Sequence, residues 1–370
     1  MDLTVGLSHA DINGDTNVVI QAALDQAAAA GGGRVTLRPG TYTVWDRIRM
    51  RSRTTLAGSG QDTVLVVPDG WQVALWEDGD WGNDWATCDP LPPVAVGHGV
   101  HLFSDRDHGW NTTVATVLEI DGDRVRVSEP FNGNHMVGDN AAISSAHSVI
   151  DCEDAEDVAV RDLVIAGNAA KTFRLDGCRG GAVHGLRANR VALSRVTVRD
   201  FNGDAISWQR CDDWTLEDCV TEHNTGHGLH PGTGAQRPVA RRCVSRGNGR
   251  CGMFVCWRVR HGAFEECVFE ANAGAGISIG HKDSDNLFRA NRIVDNTGPG
   301  IVTRNERAPM CPDRCAYEAN ELRGNHEGGP QVVLNGEVTD LVFRDNVYDE
   351  TAPRFEIGAE TGAIRTEEDC

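Results

Sequence analysis

Asn224-Thr-Gly-His-Gly-Leu, Asn248-Gly-Arg-Cys-Gly-Met, Asn272-Ala-Gly-Ala-Gly-Ile and Asn296-Thr-Gly-Pro-Gly-Ile carry one phrase down the second half of this 370-residue chain. Successive asparagines lie 24, 24 and 24 residues apart. Cys219, Cys243, Cys267 and then Asn291 keep the same beat on the following strand. A fixed period of this size predicts a solenoid, in which each repeat is one coil that cannot bury its apolar face alone.

The letters of a coil predict its conformation. Gly228, Gly252, Gly276 and Gly300 permit a tight backbone approach. Leu229, Met253, Ile277 and Ile301 then open a strand, and Pro231, Val255, Ile279 and Thr303 follow two residues later on the same, inward side. Between coils come short strands such as Ala263-Phe-Glu-Glu-Cys-Val-Phe, bounded by Gly, Asn and Asp, with no helix-length 3.6-residue period. Parallel strands stacked ~4.8 Å apart place Asn224, Asn248, Asn272 and Asn296 above one another, where their amides bond along the stack. The asparagines therefore read as structural.

With these ladders the sequence resembles the right-handed parallel β-helices of the pectin-lyase-like (pectate-lyase-like) superfamily. The resemblance extends to the N-terminus, where Asp11-Ile-Asn-Gly-Asp-Thr-Asn, Ile20-Gln-Ala-Ala-Leu-Asp-Gln-Ala-Ala-Ala-Ala-Gly-Gly-Gly and Val35-Thr-Leu-Arg-Pro-Gly-Thr-Tyr look like a helix-capped entry. It implies an all-β fold, a single-stranded right-handed parallel β-helix with a capping helix at one end. It does not fix the reaction, because this fold hosts lyases, hydrolases, epimerases, fructan-transforming enzymes and phage tailspikes.

The expected organisation is a cap helix with first coils over residues 1–68, a Trp-rich insertion with a β-hairpin over 69–150, regular coils over 151–350, and an acidic, poorly ordered tail over 351–370. The helix is expected to start at Asp15 or Thr16 and to cover an open end that would otherwise be a sticky edge. Trp71, Trp76, Trp81, Trp85 and Trp110 concentrate in the insertion, either as a satellite core or as sugar-stacking faces at a groove edge. The hairpin is expected to turn at Asp121-Gly122.

A formal net charge of -19 argues against a general nucleic-acid or acidic-membrane surface. The opening residues have neither a basic region nor a long apolar run, so a cytoplasmic chain is expected unless a signal was removed. The 12 cysteines sit mostly within strands, and Cys219, Cys243 and Cys267 are ladder positions, expected to pack as small hydrophobes of a reduced protein. Cys311 and Cys315 allow a loop disulfide or half a metal site. The expected partner is an oligo- or polysaccharide, with no nucleic acid and no membrane, and the chain a monomer or a homo-oligomer such as a trimer.

Outward neighbours of the inward ladder form a polar strip: Ser207 and Gln209, His230 and Gly232, Phe254 and Cys256, Ser278 and Gly280, Val302 and Arg304. Arg210, Trp257-Arg258, His281-Lys282-Asp283 and Asn305-Glu306-Arg307 follow in the turns. Five coils span ~19 Å, the length of a short oligosaccharide.

The preferred chemistry is β-elimination on a uronate-containing glycan. A base takes the proton beside the carboxylate while cations stabilise the enolate. His281, Lys282 and Arg258 are the first choices for base and cations, with His230 as a further base. Trp257 is expected to stack on sugar, and Gln209, Arg210, Arg304 and Arg307 to bind it.

What the resemblance implies is an Arg or Lys base, sometimes with Ca²⁺, which points to Lys282; Asp283 and Asp285 are the ligands in reach. No cofactor is otherwise expected. Its tyrosine base has no evident place, since the only tyrosines are Tyr42, Tyr317 and Tyr348. The alternatives are a hydrolase or transglycosidase using carboxylates of the Asp283 and Glu306 kind, and a non-catalytic carbohydrate-binding or structural coil. A zinc site on His223, His227 and His230 is disfavoured, because a β-coil does not turn these three to one side.

Overall fold

A computed structural model describes residues 1–107 and 109–367. The chain winds as a parallel solenoid. One face is a ten-stranded parallel sheet, running through Ile48–Arg49, Ile150–Asp151, Val183–Leu186, Ile206–Gln209, Leu229–Gly232, Met253–Phe254, Ile277–Ile279, Ile301–Thr303, Val332–Leu334 and Phe355–Ile357. The other faces are built from strands such as Val220–Glu222, Val244–Arg246 and Val268–Glu270, paired in register.

Inward side chains stack by kind. Phe264, Phe288, Tyr317 and Phe343 form a column with ring centroids 5.1, 5.0 and 4.6 Å apart, and Cys219, Cys243 and Cys267 are buried below them in the repeat. The asparagine ladder is present as expected. Nδ2 of Asn224, Asn248, Asn272 and Asn296 donates to Oδ1 of the next ladder asparagine at 2.9, 3.0, 2.9 and 2.8 Å, ending on Asn325. Asn291, Asn320 and Asn346 form a second ladder. Each amide satisfies backbone groups that a tight corner leaves unpaired inside the coil.

The outer corners hold side chains in the left-handed region. One row reads Asp157, Arg190, Asp213, Arg237, His261, Asp285, Arg314, Asp340, and another Asp162, Arg195, Asp218, Arg242, Glu266. Sign alternates from coil to coil except at His261, and neighbours pair: Arg190 with Asp157 at 2.6 Å, Arg237 with Asp213 at 2.7 Å, Arg242 with Asp218 at 2.8 Å.

The helix Asn17–Ala29 covers one end, burying Ile20, Ala23, Leu24 and Ala27 at three- and four-residue spacing. Thr16 stands at its N-cap without a side-chain capping bond. Between Val67 and Val149 the chain leaves the solenoid after Thr63–Val66 and rejoins it on the ten-stranded sheet, Ile150 pairing with Ile48. The excursion is a six-stranded antiparallel sheet with its own core of Leu75, Val100, Leu102, Val117, Val125 and Ile143. Its hairpin joins Thr113–Asp121 to Arg124–Val127.

Of the tail expected to be poorly ordered over 351–370, residues 351–367 continue the coils, and 368–370 lie outside the described residues. Phe355–Ile357 pairs with Val332–Leu334, and Ile364–Glu367 with Leu341–Arg344. The apolar side chains of Phe355 and Ile364 continue the inward alternation and pack on the core, which the acidic composition hid.

Candidate active site

Strand register sets the outward strip of the ten-stranded sheet. His184, Ser207, His230, Phe254, Ser278 and Val302 are consecutive partners across it. Asp151 precedes His184 in the same row. Two histidines of this row face carboxylates through Nδ1, His184 with Asp151 at 3.8 Å and His230 with Asp204 at 2.7 Å. Asp151 and His184 were missing from the sequence reading, because they lie next to the insertion where the 24-residue period is broken.

His230 is 4% exposed. Asp204, read from sequence as a turn residue, holds it: Oδ2 accepts from the ring and Oδ1 from the His227 amide. Burial alone would depress the imidazole. The Asp204 carboxylate and the Cys256 thiol facing the ring outweigh burial and raise its pKa to about 10, while Asp204 is held well below the usual carboxylate range. The pair is an ion pair, so His230 is a fixed cation and cannot accept a proton at neutral pH.

Residues 173–181 lie over this pair. Ser207 Oγ and Gln209 Nε2 donate to the Gly177 carbonyl, at 2.5 and 3.5 Å. A Cβ at Gly177 would collide with Asp204 Oδ2 and His230 Nδ1, so this position demands glycine. Gln209, expected to bind substrate, is fully buried beneath the same loop.

Two coils further along, the surface opens. His281 Nδ1 lies 2.5 Å from Glu306 Oε1, and its ring stacks on Trp257 with centroids 4.1 Å apart. Partial burial lowers the His281 pKa; Glu306 opposes this, and the charges of Arg304 and Arg258 add to it. The lowered pKa leaves the imidazole uncharged at neutral pH, with Nδ1 against the Glu306 carboxylate. Trp257 is 42% exposed, but one ring face meets His281 and the Arg258 guanidinium lies 5.6 Å from its centroid. Trp257 thus orients the histidine. Trp257-Arg258 and His281-Lys282 are consecutive pairs in the left-handed region; two such residues in a row cost of order 1–3 kcal/mol each and are retained where they aim side chains.

The remaining expected residues divide. Arg258, Lys282, Arg307 and Arg210 make no ion pair among the described residues; Arg210 lies over the Trp110 ring at 5.1 Å, which brings one insertion tryptophan to the strip. Arg304 is folded back, donating to Val255 O at 2.8 Å, Ser278 Oγ at 3.2 Å and Asp283 Oδ2 at 3.2 Å, with its guanidinium 4.6 Å from the Phe254 centroid. Its partners are protein groups, and it ties Phe254, His227 and His230 to the open end through stacked rings.

Asp283 is fully buried. It accepts the amides of Val259 and Gly280 besides Arg304, and burial pushes its carboxyl up to about 7. It faces inward to a turn, whereas Glu306 faces His281, so these two carboxylates do not flank a common gap. Asp285 pairs with Arg314 at 2.6 Å. Both residues considered as Ca²⁺ ligands are thereby engaged, and no group of three metal-ligating side chains converges among the described residues. His223 is exposed, while the His227 and His230 rings meet edge to face. Thiols of Cys311 and Cys315 donate to different carbonyls, of Glu337 and Asp283. None of the tyrosines reaches the strip: Tyr42 bonds Arg38 O, Tyr317 is in the aromatic column, and Tyr348 packs near Phe355.

A fold of stacked parallel coils, with asparagine ladders and a polar strip on one sheet, defines a right-handed parallel β-helix. Residues 181–347 match the family model described as a right handed beta helix region. Mannuronan C5-epimerase AlgE6 of Azotobacter vinelandii is 24% identical over 331 residues, which are 88% of this chain and 28% of that protein; the chain thus spans little more than a quarter of that relative. Among solved structures, the A-module of Azotobacter vinelandii AlgE4 superposes with a TM-score of 0.61 at 15% identity, covering 98% of this chain and 96% of that one. A Thermotoga maritima exopolygalacturonase superposes with a TM-score of 0.56 at 9% identity, covering 95% and 87%. These structural likenesses speak to the fold.

Proposed function

We propose that this chain is a carbohydrate-active enzyme that removes the C5 proton of a uronate unit in a polysaccharide, with β-elimination as the outcome. The observation that carries the reading is the His281–Glu306 dyad: an uncharged imidazole in contact with a carboxylate, within reach of the Arg258 charge, with Lys282 and Arg307 next to the two dyad residues in the chain. Nε2 takes the proton, and Glu306 stabilises the imidazolium that forms. The electrons move into the substrate carboxylate, whose growing charge the cations neutralise. The C4–O bond then breaks, and the imidazolium returns its proton to the leaving oxygen.

A second reading shares the first step. The curated relative is named for epimerisation at C5, in which the carbanion is reprotonated instead of losing its leaving group. Incubation of uronate oligosaccharides in D₂O, followed by mass spectrometry and ultraviolet absorbance, separates the two. Elimination yields the unsaturated chromophore without added water, and epimerisation yields deuterium at C5 with no chromophore. Neither signal, or products carrying one added water, would overturn the proposal.

A further inference from the structure

The insertion carries a second feature, built from residues that the strip does not use. On its antiparallel sheet, alternation turns Leu75, Ala86 and Val125 into the satellite core, which leaves Trp76, Trp85 and Arg124 on the outer face. Trp76 is 66% exposed and has no ring or cation stacked on it among the described residues. Trp71 alone of the insertion tryptophans packs on the satellite core. Trp76 stands in the bend that follows the strand Gln72–Ala74 and adds nothing to the satellite core.

Around Trp76 and Trp85 lies a pocket of about 320 Å³ that Glu77, Asp78, Asp123 and Arg124 complete. Its parts are held. The Trp76 amide donates to Thr87 O at 2.9 Å, Thr87 Oγ1 donates to Glu77 Oε2 at 2.8 Å, and the Arg124 guanidinium lies 4.4 Å from the Trp85 centroid. One open aromatic face beside preset carboxylates is the composition that takes a sugar ring: the indole covers C–H groups and the carboxylates accept hydroxyl protons.

We infer that this pocket is a carbohydrate-binding site for a neutral sugar unit, separate from the site of reaction. Neutrality follows from charge. Three carboxylates face one guanidinium, which already covers Trp85, so a uronate would meet net repulsion here. The volume fits one or two rings and not a long chain. The inference does not rest on the reaction proposed above, because it concerns binding at a different surface.

Isothermal titration of the whole chain with neutral pentasaccharides (a glucan, a mannan and a galactan) and with a uronate pentasaccharide tests it. At least one neutral oligomer is expected to bind, and Trp76→Ala to weaken that binding about tenfold. Glu77→Gln is expected to weaken it as well, while Trp81→Ala, at a tryptophan that is 73% exposed but outside the pocket, leaves it unchanged. His281→Ala is expected to abolish turnover of uronate oligomers and not this binding, so the two proposals fail separately. The inference is overturned by absence of binding across the neutral panel, by affinity indifferent to Trp76→Ala, or by a uronate oligomer that binds as tightly through Trp76.

Discussion

Replacing Asn272 by alanine tests what holds the coils in register. Its side chain makes four hydrogen bonds in the interior: Oδ1 accepts from the amide and Nδ2 of Asn248 at 3.1 and 3.0 Å, and Nδ2 donates to Ser245 O at 3.0 Å and Asn296 Oδ1 at 2.9 Å. At ~1 kcal/mol net for each bond, the loss is about 4 kcal/mol, and no water stands ready to replace the missing partner at a fully buried site. With ~2.1 cal/mol/K of unfolding entropy per residue, a chain of this length shifts by about 1.3 °C per kcal/mol, or about 5 °C in all. Urea unfolding followed by circular dichroism gives the free energy, and calorimetry the midpoint. Asn272→Asp sharpens the test, since it keeps the shape and the acceptor but sets carboxylate oxygens against Ser245 O and Asn296 Oδ1. It is expected to be at least as damaging as alanine. A loss below ~1 kcal/mol for Asn272→Ala, or a silent Asn272→Asp, would refute the hydrogen-bond account.

Other expectations concern the strip. Glu306→Gln should lower turnover of uronate oligomers by ~10²-fold or more and move the acidic limb of the rate profile to lower pH, because the charge that favours protonated His281 is gone; a limb that stays in place or rises counts against the dyad. The His230 pKa is raised from 6.5 to about 10 in the fold. Its stabilisation is therefore complete below pH 6.5 and lost as pH rises towards 10, a span of roughly 5 kcal/mol. The depressed Asp204 acts oppositely, and its contribution is lost only in strong acid. Unfolding free energies measured over this range should slope downward in the native protein and flatten in Asp204→Asn; equal slopes would refute the ion pair. Gly177→Ala should displace the covering loop and speed alkylation of the half-buried Cys178, read by peptide mass spectrometry, with unchanged labelling as the contrary result.

How much of this was legible depends on whether sequence distance encodes contact. In a coil of fixed length it does, so the asparagine ladder, the inward row Leu229, Met253, Ile277, Ile301 and the outward row Ser207, His230, Phe254, Ser278, Val302 could be read directly from residue spacing. The direction in which a corner throws its side chains was not legible. Asp204 sits in a turn, and only the fold shows its carboxylate reaching His230. His281 is aimed at Glu306 by a corner in which His281 and Lys282 are two consecutive left-handed residues, a conformation that non-glycine letters do not advertise. Asp283 and Arg304 looked like groove residues because they follow outward positions. Each instead turns back to satisfy amides and carbonyls that the corner would strand. The loop 173–181 was equally hidden, since nothing in its composition says that it lies on the sheet.

The alternating Asp and Arg corners bear on how such a chain can lengthen or shorten. Deleting one coil, or duplicating one, within an alternating stretch would seat like charges at the single junction it creates in each corner row, whereas adding or removing an adjacent pair of coils keeps the complementary order. Each exposed pair contributes only ~0.5 kcal/mol, so the bias at one junction is small. Growth by even numbers of turns is thus slightly favoured.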